Sequence, residues 1–383
     1  MFKSEIDRAT AAREWDFGGV DYMNHGSFGA CPRAVRDFVQ KQREALLRNP
    51  MEYFLIETKS LMDENRAFWA TLVNADAEGI AHMECATQAV NTVMKSLALR
   101  GYFKPGDEIL LTSHGYNACN NVAREIAELT GAVVVVAPIP FPIENAGQVT
   151  ESILKAATNK TRLALIDHIT SETALIYPIH DIVTGLKARG IETLVDGAHA
   201  PAHVKIDLKK LNPAFYTGCA FLYVREDFQG RIRPLVLSHG ANDPDTSRSA
   251  FQKNFSWVGT RDVTPWTTPK VAFETLSGFH KDGLFGLVED NKRLVRYGYK
   301  LLLDALGQKP HAPDNMLGCM TTIILPPGDA DALKAALRKD NFVTQLWKTS
   351  ASITTGRAIR LSAQAYTTPE QYERLVTSLK KSL

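Results

Sequence analysis

Leu194-Val195-Asp196-Gly197-Ala198-His199-Ala200-Pro201-Ala202-His203 sets an aspartate directly after apolar residues and then breaks into small residues and proline. An apolar run that stops at Asp-Gly reads as a buried strand reaching its carboxyl end, and in an open α/β sheet that edge is where ligands bind. A carboxylate there can hold a cationic ring nitrogen, and His199 can stack on a ring or bond to its substituent. Taken alone, the segment is equally an Asp that ends a strand and opens a turn. His199 and His203 have the i, i+4 spacing of metal ligands, but Pro201 between them breaks a regular helix, so no metal is expected.

Outward from this strand the same texture repeats. Apolar runs at Ile80–Met83, Glu108–Thr112, Ala132–Pro138, Leu163–His168, Thr193–Asp196, Phe215–Thr217 and Ala220–Val224 alternate with helical stretches such as Gln88–Leu99, Ala118–Thr130 and Ile179–Ala188. This alternation predicts an α/β fold, a mostly parallel sheet flanked by helices. Val133–Val136 and Leu163–Ile166 are apolar at successive positions, as strands buried on both faces should be. Beyond Trp266 a long helix around Asn291–Leu306 is followed by strands at Met320–Leu325, Val343–Trp347 and Ala358–Leu361 and helices at Asp331–Lys339 and Pro369–Leu379. A chain of 383 residues is long for one core. The expected division is a large domain at 21–271 and a smaller α+β C-terminal domain at 272–383, with an N-terminal arm at 1–20.

Composition narrows the function classes. Lys and Arg number 44 against 42 Asp and Glu, a formal charge of +2 with no block of one sign, so neither nucleic acid nor a membrane surface is an expected partner. The five cysteines are scattered without a C-x-x-C pair, which argues against a disulfide framework or structural zinc and fits a reducing cytoplasm. The longest apolar stretch, Ala132 to Ile139, is too short to cross a bilayer.

Four further segments can carry chemistry. Cys85-Ala86-Thr87-Gln88 runs from a strand into a helix start, where free N–H groups bind phosphate and Thr87 adds a hydroxyl; a plain Thr N-cap is the simpler reading. His114-Gly115-Tyr116-Asn117 follows another strand and could lay a ring over a planar cofactor, or merely pack. Trp257-Val258-Gly259-Thr260-Arg261-Asp262 joins a small-residue turn to a hydroxyl and a guanidinium. Arg360 lies in the apolar strand Ile359-Arg360-Leu361-Ser362, where it needs an anion: a substrate carboxylate, or an internal Asp or Glu.

In this order and together, the segments resemble the class V aminotransferase family of fold type I, which depends on pyridoxal 5′-phosphate (PLP), and within it the isopenicillin N epimerase-like branch. The similarity runs from Tyr22-Met23-Asn24-His25-Gly26-Ser27-Phe28-Gly29 to Arg360-Leu361-Ser362-Ala363-Gln364-Ala365-Tyr366. The resemblance implies that Ala86, Thr87 and Gln88 cradle the cofactor phosphate, that Tyr116 stacks on the ring, and that Asp196 pairs with the pyridine nitrogen with His199 near the ring hydroxyl. It further implies that Thr260 reaches the phosphate from the neighbouring subunit of a homodimer with shared active sites, that Arg360 binds the substrate α-carboxylate, and that Asn24 and His25 line the substrate pocket.

One departure stands against these matches. Members of the family carry a His-Lys segment between the strands matching Ala214–Gly218 and Cys219–Val224, and that Lys forms the Schiff base with PLP; here Cys219 follows Gly218 directly. Three readings are open: an ordinary enzyme whose natural chain carries the segment that this sequence lacks, a natural deletion with a cofactor site in which His199 or another base moves protons without the lysine, or a binding or regulatory dimer on the same fold. The expected function is PLP-dependent chemistry at the α-carbon of an amino acid or amino-acid-derived substrate: epimerisation or racemisation, elimination, or amino transfer. The sequence lacks G-x-G-x-x-G and G-x-x-x-x-G-K-[ST], the motifs of the competing nucleotide-binding enzymes.

Overall fold

The computed structural model describes residues 4–349, 353 and 356–383. Seven strands form its main sheet: β1 Ile80–His82, β2 Glu108–Thr112, β3 Val133–Ala137, β4 Thr161–Asp167, β5 Glu192–Asp196, β6 Phe215–Gly218 and β7 Phe221–Val224, in the spatial order β1-β7-β6-β5-β4-β2-β3. The pairs β2/β3, β2/β4, β4/β5 and β5/β6 are parallel, while β7 runs antiparallel to both β6 and β1. The carboxyl ends of β2, β4, β5 and β6 therefore share one edge. Each of the seven expected runs is a strand, but β3 is an edge strand, and Val133 and Val136 are exposed. A continuous apolar run marks β3 as a strand without saying how many neighbours cover it.

Helices α1 Ala86–Leu99 and α2 Asn117–Thr130 pack on one face of this sheet. Val90, Val93, Met94 and Leu97 repeat at three- and four-residue spacing along α1, and all are fully buried with Leu165, Leu194 and Phe215. Each such side chain contributes roughly 1.5–3 kcal/mol of burial. The opposite face buries Ile166 and Val195 in a core that also takes Leu294, Val295 and Leu302 from the long helix α3 Gly283–Leu306 and Ile323 and Ile359 from a second sheet. This core leaves the carboxyl edge of the main sheet next to the second sheet.

That second sheet is antiparallel, in the order β9-β10-β8, with β8 Met320–Leu325, β9 Gln345–Lys348 and β10 Arg357–Ser362. The run expected as one strand at Val343–Trp347 is divided: Phe342–Val343 pairs in parallel with Asp21–Tyr22, and Gln345–Lys348 pairs with β10. The Asp21–Tyr22 pairing carries Asn24 and His25 to the end of the second sheet, where Asn24 Nδ2 donates to Gln345 Oε1 at 3.3 Å. No helix of the described residues is long and apolar enough to cross a membrane.

Candidate active site

At the end of β5 the backbone of Gly197 passes over the ring of Tyr216; a Cβ at Gly197 would lie 2.3 Å from Tyr216 Cε1. Only glycine allows that approach, which is the local reason for Asp-Gly at this strand end. Asp196 is buried and its carboxylate accepts three donors: Cys119 Sγ at 3.1 Å, Thr217 Oγ1 at 3.2 Å and Ala198 N–H at 3.0 Å. These donors fix the carboxylate at the sheet edge. Asp167 stands opposite it in register at the end of β4. Burial and the Asp196 charge push Asp167 well above the ordinary carboxylate range, so of the two Asp167 holds the proton.

Helix α1 begins beside this edge. Its N-cap is Cys85, whose Sγ accepts the Gln88 N–H at 3.5 Å, and Gln88 Oε1 turns back to accept the Glu84 N–H at 2.8 Å. Thr87 is therefore within the first turn and is not the N-cap, so the simpler reading of that residue fails; Ala86, Thr87 and Gln88 remain half-buried. Tyr116 caps the start of helix α2 and is 46% exposed, whereas His114 is buried with Nδ1 bonded to Thr173 Oγ1 at 3.0 Å. The ring left open at this edge is thus the tyrosine.

Arg360 is buried on the central strand of the second sheet. Its terminal nitrogens donate to Ser27 Oγ at 2.5 Å and to the Ser171 carbonyl, while Nε has no partner. Among the described residues no carboxylate lies within 4.0 Å of it; Glu172, with its buried Oε2 unpartnered, is the acid whose charge reaches it. Burial lowers the guanidinium to about 10, and Glu172 and Tyr116 oppose that shift. His199 is held down to about 4 by burial and by Arg360, so it is a neutral imidazole. His25, also lowered to about 4, bonds Tyr366 OH through Nδ1 at 2.9 Å. His203 Nε2 accepts the Cys319 N–H, which commits that ring to the core.

The fold thus brings His199 and Tyr116 within electrostatic reach of Arg360, with Asn24 and His25 beside Arg360 through Ser27, and Asp196 joins them through its register partner Asp167, which accepts the Tyr116 N–H. Thr260 is exposed, and its loop lies against the start of α1 of its own chain: Arg261 pairs with Glu84 and sits 4.2 Å over the Trp266 ring. Trp266 Nε1 donates to the Met83 carbonyl at 3.0 Å. Sequence reading missed Cys119, Thr217, Asp167, Ser27 and Ser171. Asp167 was visible as a second acid ending an apolar strand, but the others are assembled by packing.

Residues 31–375 match the family described as aminotransferase class-V. The chain belongs to that family. It is 30% identical to isopenicillin N epimerase of Streptomyces clavuligerus over 93% of both chains, and 27% identical to L-cysteine desulfhydrase of Arabidopsis thaliana over 100% of this chain and 92% of that one. Among solved structures it superposes with TM-score 0.78, at 19% identity and covering 96% and 97% of the two chains, on a lysine-to-alanine mutant of C-DES with glycine covalently linked to the PLP cofactor. The fold is PLP fold type I, and PLP is the family's cofactor.

The residues present fit part of that cofactor. An Asp196 carboxylate fixed by three donors suits a protonated ring nitrogen, the open first turn of α1 suits a phosphate, and Arg360 Nε is an orphaned buried donor. The covalent anchor does not fit. Strands β6 and β7 are joined by Cys219-Ala220 alone, with Gly218 paired to Phe221 and Ala220 in the left-handed region at φ +74°. A Cβ at Gly218 would meet Phe221 Cε1 at 2.1 Å, so this hairpin end is closed. The lysines flanking β6 and in the loop after β7 are engaged or distant. Lys253 Nζ donates to the Asp243 and Asp245 carbonyls at 2.7 and 2.8 Å, and Lys205 lies 5.1 Å over the Phe285 ring. Lys209 and Lys210 sit on a turn bonded to Val73 and Asn74, ahead of β1 and so at the opposite edge of the sheet.

Proposed function

We propose that the protein binds PLP at the carboxyl edge of the main sheet and acts at the α-carbon of an amino acid or amino-acid-derived substrate, by epimerisation, elimination or transfer. The observation that carries this reading is an Asp196 fixed by three donors at the sheet edge together with a buried Arg360 whose Nε has no partner. When bound, the cofactor supplies a ring that withdraws electrons from the α-carbon. Asp196 keeps the ring nitrogen protonated. Ala86, Thr87 and Gln88 take the phosphate, and Tyr116 covers one face of the ring. Arg360 orients the substrate through its carboxylate, and Asn24 and His25 bound the space around the side chain. His199, neutral at physiological pH, is the group that accepts a proton.

The relatives support this range of reactions, being an epimerase and a desulfhydrase by name. Thr260, exposed on its loop, completes the phosphate site of a second subunit in a homodimer, and the protein works in the cytoplasm. Residues 21–271 carry the cofactor, and 272–383 supply Arg360.

The closed β6–β7 turn favours a second reading, a binding or regulatory protein that holds the same ligands without turnover. Titration with PLP, followed by solvent exchange of the amino acid α-proton, separates the two. Exchange abolished by His199→Gln supports the enzyme, and binding without exchange supports the binding protein. No change in absorbance or melting temperature on adding PLP refutes both.

A further inference from the structure

The closed hairpin end bears on which ligand the site selects. The aldehyde and amine forms of the cofactor share their phosphate, ring nitrogen and ring face, and differ only at the carbon attached to ring position 4. A chain that offers a lysine amine there gains a covalent bond with the aldehyde alone. This chain ends β6 at Gly218, turns at Cys219-Ala220, and packs Phe221 against the turn. Lys253 and Lys205 are engaged with backbone carbonyls and an aromatic ring, and Lys209 and Lys210 lie at the far edge.

Resting on the PLP reading above, we infer that this site holds the cofactor by noncovalent contacts alone, and so takes as ligands its amine form and conjugates in which the cofactor is already joined to an amino acid. Asp196, the first turn of α1 and Tyr116 contact parts common to all these ligands, so the site does not distinguish aldehyde from amine. A conjugate adds one group the bare cofactor lacks, the α-carboxylate, and Arg360, buried with its Nε unpartnered, is the cation placed to receive it. Ser27 and Ser171 hold two of its nitrogens in place before the ligand arrives. That preorganisation reduces the ordering cost of binding. The site then selects the joined cofactor and amino acid over either component.

The test uses the unmodified protein and three probes: PLP, pyridoxamine 5′-phosphate, and the stable conjugate N-(5′-phosphopyridoxyl)-L-alanine. Calorimetric titration should give dissociation constants for the first two within about tenfold of each other, and a conjugate at least about tenfold tighter than pyridoxamine 5′-phosphate. Borohydride reduction of the complex with one equivalent of PLP, followed by intact mass and peptide mapping, should leave the chain unmodified. Stoichiometric fixation at one lysine overturns the inference while leaving PLP binding intact. The aldehyde bound more than about a hundredfold tighter than the amine also overturns it. A conjugate no tighter than pyridoxamine 5′-phosphate removes Arg360 from the carboxylate role. Failure of all three probes to bind refutes the underlying cofactor reading.

Discussion

Asp167→Asn isolates the electrostatics of the paired carboxyls at the sheet edge. Asp167 and Asp196 are register partners on parallel strands, and neighbouring strands lie about 4.8 Å apart. Two unit charges at about 5 Å repel by roughly 3 kcal/mol in an effective dielectric of about 20. Burial and this repulsion raise Asp167 well above its ordinary value of 3.8. A carboxyl raised on folding contributes stability that is fully present below the unfolded value and is lost as pH rises through the folded one. Asparagine keeps an oxygen to accept the Tyr116 N–H that Asp167 accepts, and it does not titrate. The stability of the variant relative to the parent should therefore grow as pH rises, by about 1.4 kcal/mol per pH unit, until the pKa of Asp167 itself is reached. Paired urea titrations from pH 5 to 8 measure this difference, and the histidines common to both proteins cancel from it. A difference that stays flat across the range, or that moves against the variant, refutes the assignment of the proton to Asp167.

Two further expectations concern the scaffold. Burial holds His25, His82, His114, His168 and His199 down to about 4 and His203 to about 3, so their stabilising contribution is present above the unfolded value of 6.5 and is lost as pH falls. Stability should drop between pH 6.5 and 4 at about 1.4 kcal/mol per pH unit for each histidine, and a level urea midpoint over that range would contradict their burial as neutral rings. Ala220→Gly should stabilise the protein by about 0.5–1 kcal/mol in denaturant unfolding, because Ala220 holds a left-handed conformation that glycine adopts without steric cost. A loss of stability would mean that the β6–β7 turn differs from the one described.

The strands and their order of appearance were legible in the sequence because a buried parallel strand writes itself as a short apolar run, and the helices between them as a 3.6-residue period. Asp196 was legible for the same reason, standing where such a run stops. Position within the sheet was not legible: Val133–Val136 reads like Leu163–Ile166, yet one is an edge and the other is central. The N-cap of α1 was likewise misplaced by two residues, because a cysteine thiol accepts the Gln88 amide where the sequence suggested a threonine hydroxyl.

The sequence by itself determined the family, the acid at the strand end, the arginine within an apolar strand and the missing lysine segment, all of which are local identities in a fixed order. Tertiary structure alone decided what those residues do to each other. Cys119 reaches Asp196 from 77 positions away, Ser171 reaches Arg360 from 189, and Ser27 from 333. Such contacts depend on how the helices and the second sheet pack on the main sheet, and no local period or spacing records that. The same packing closes the turn after Gly218 against Phe221 and leaves Arg360 Nε without a partner. The charge balance of the site therefore follows from distances that only the folded chain sets.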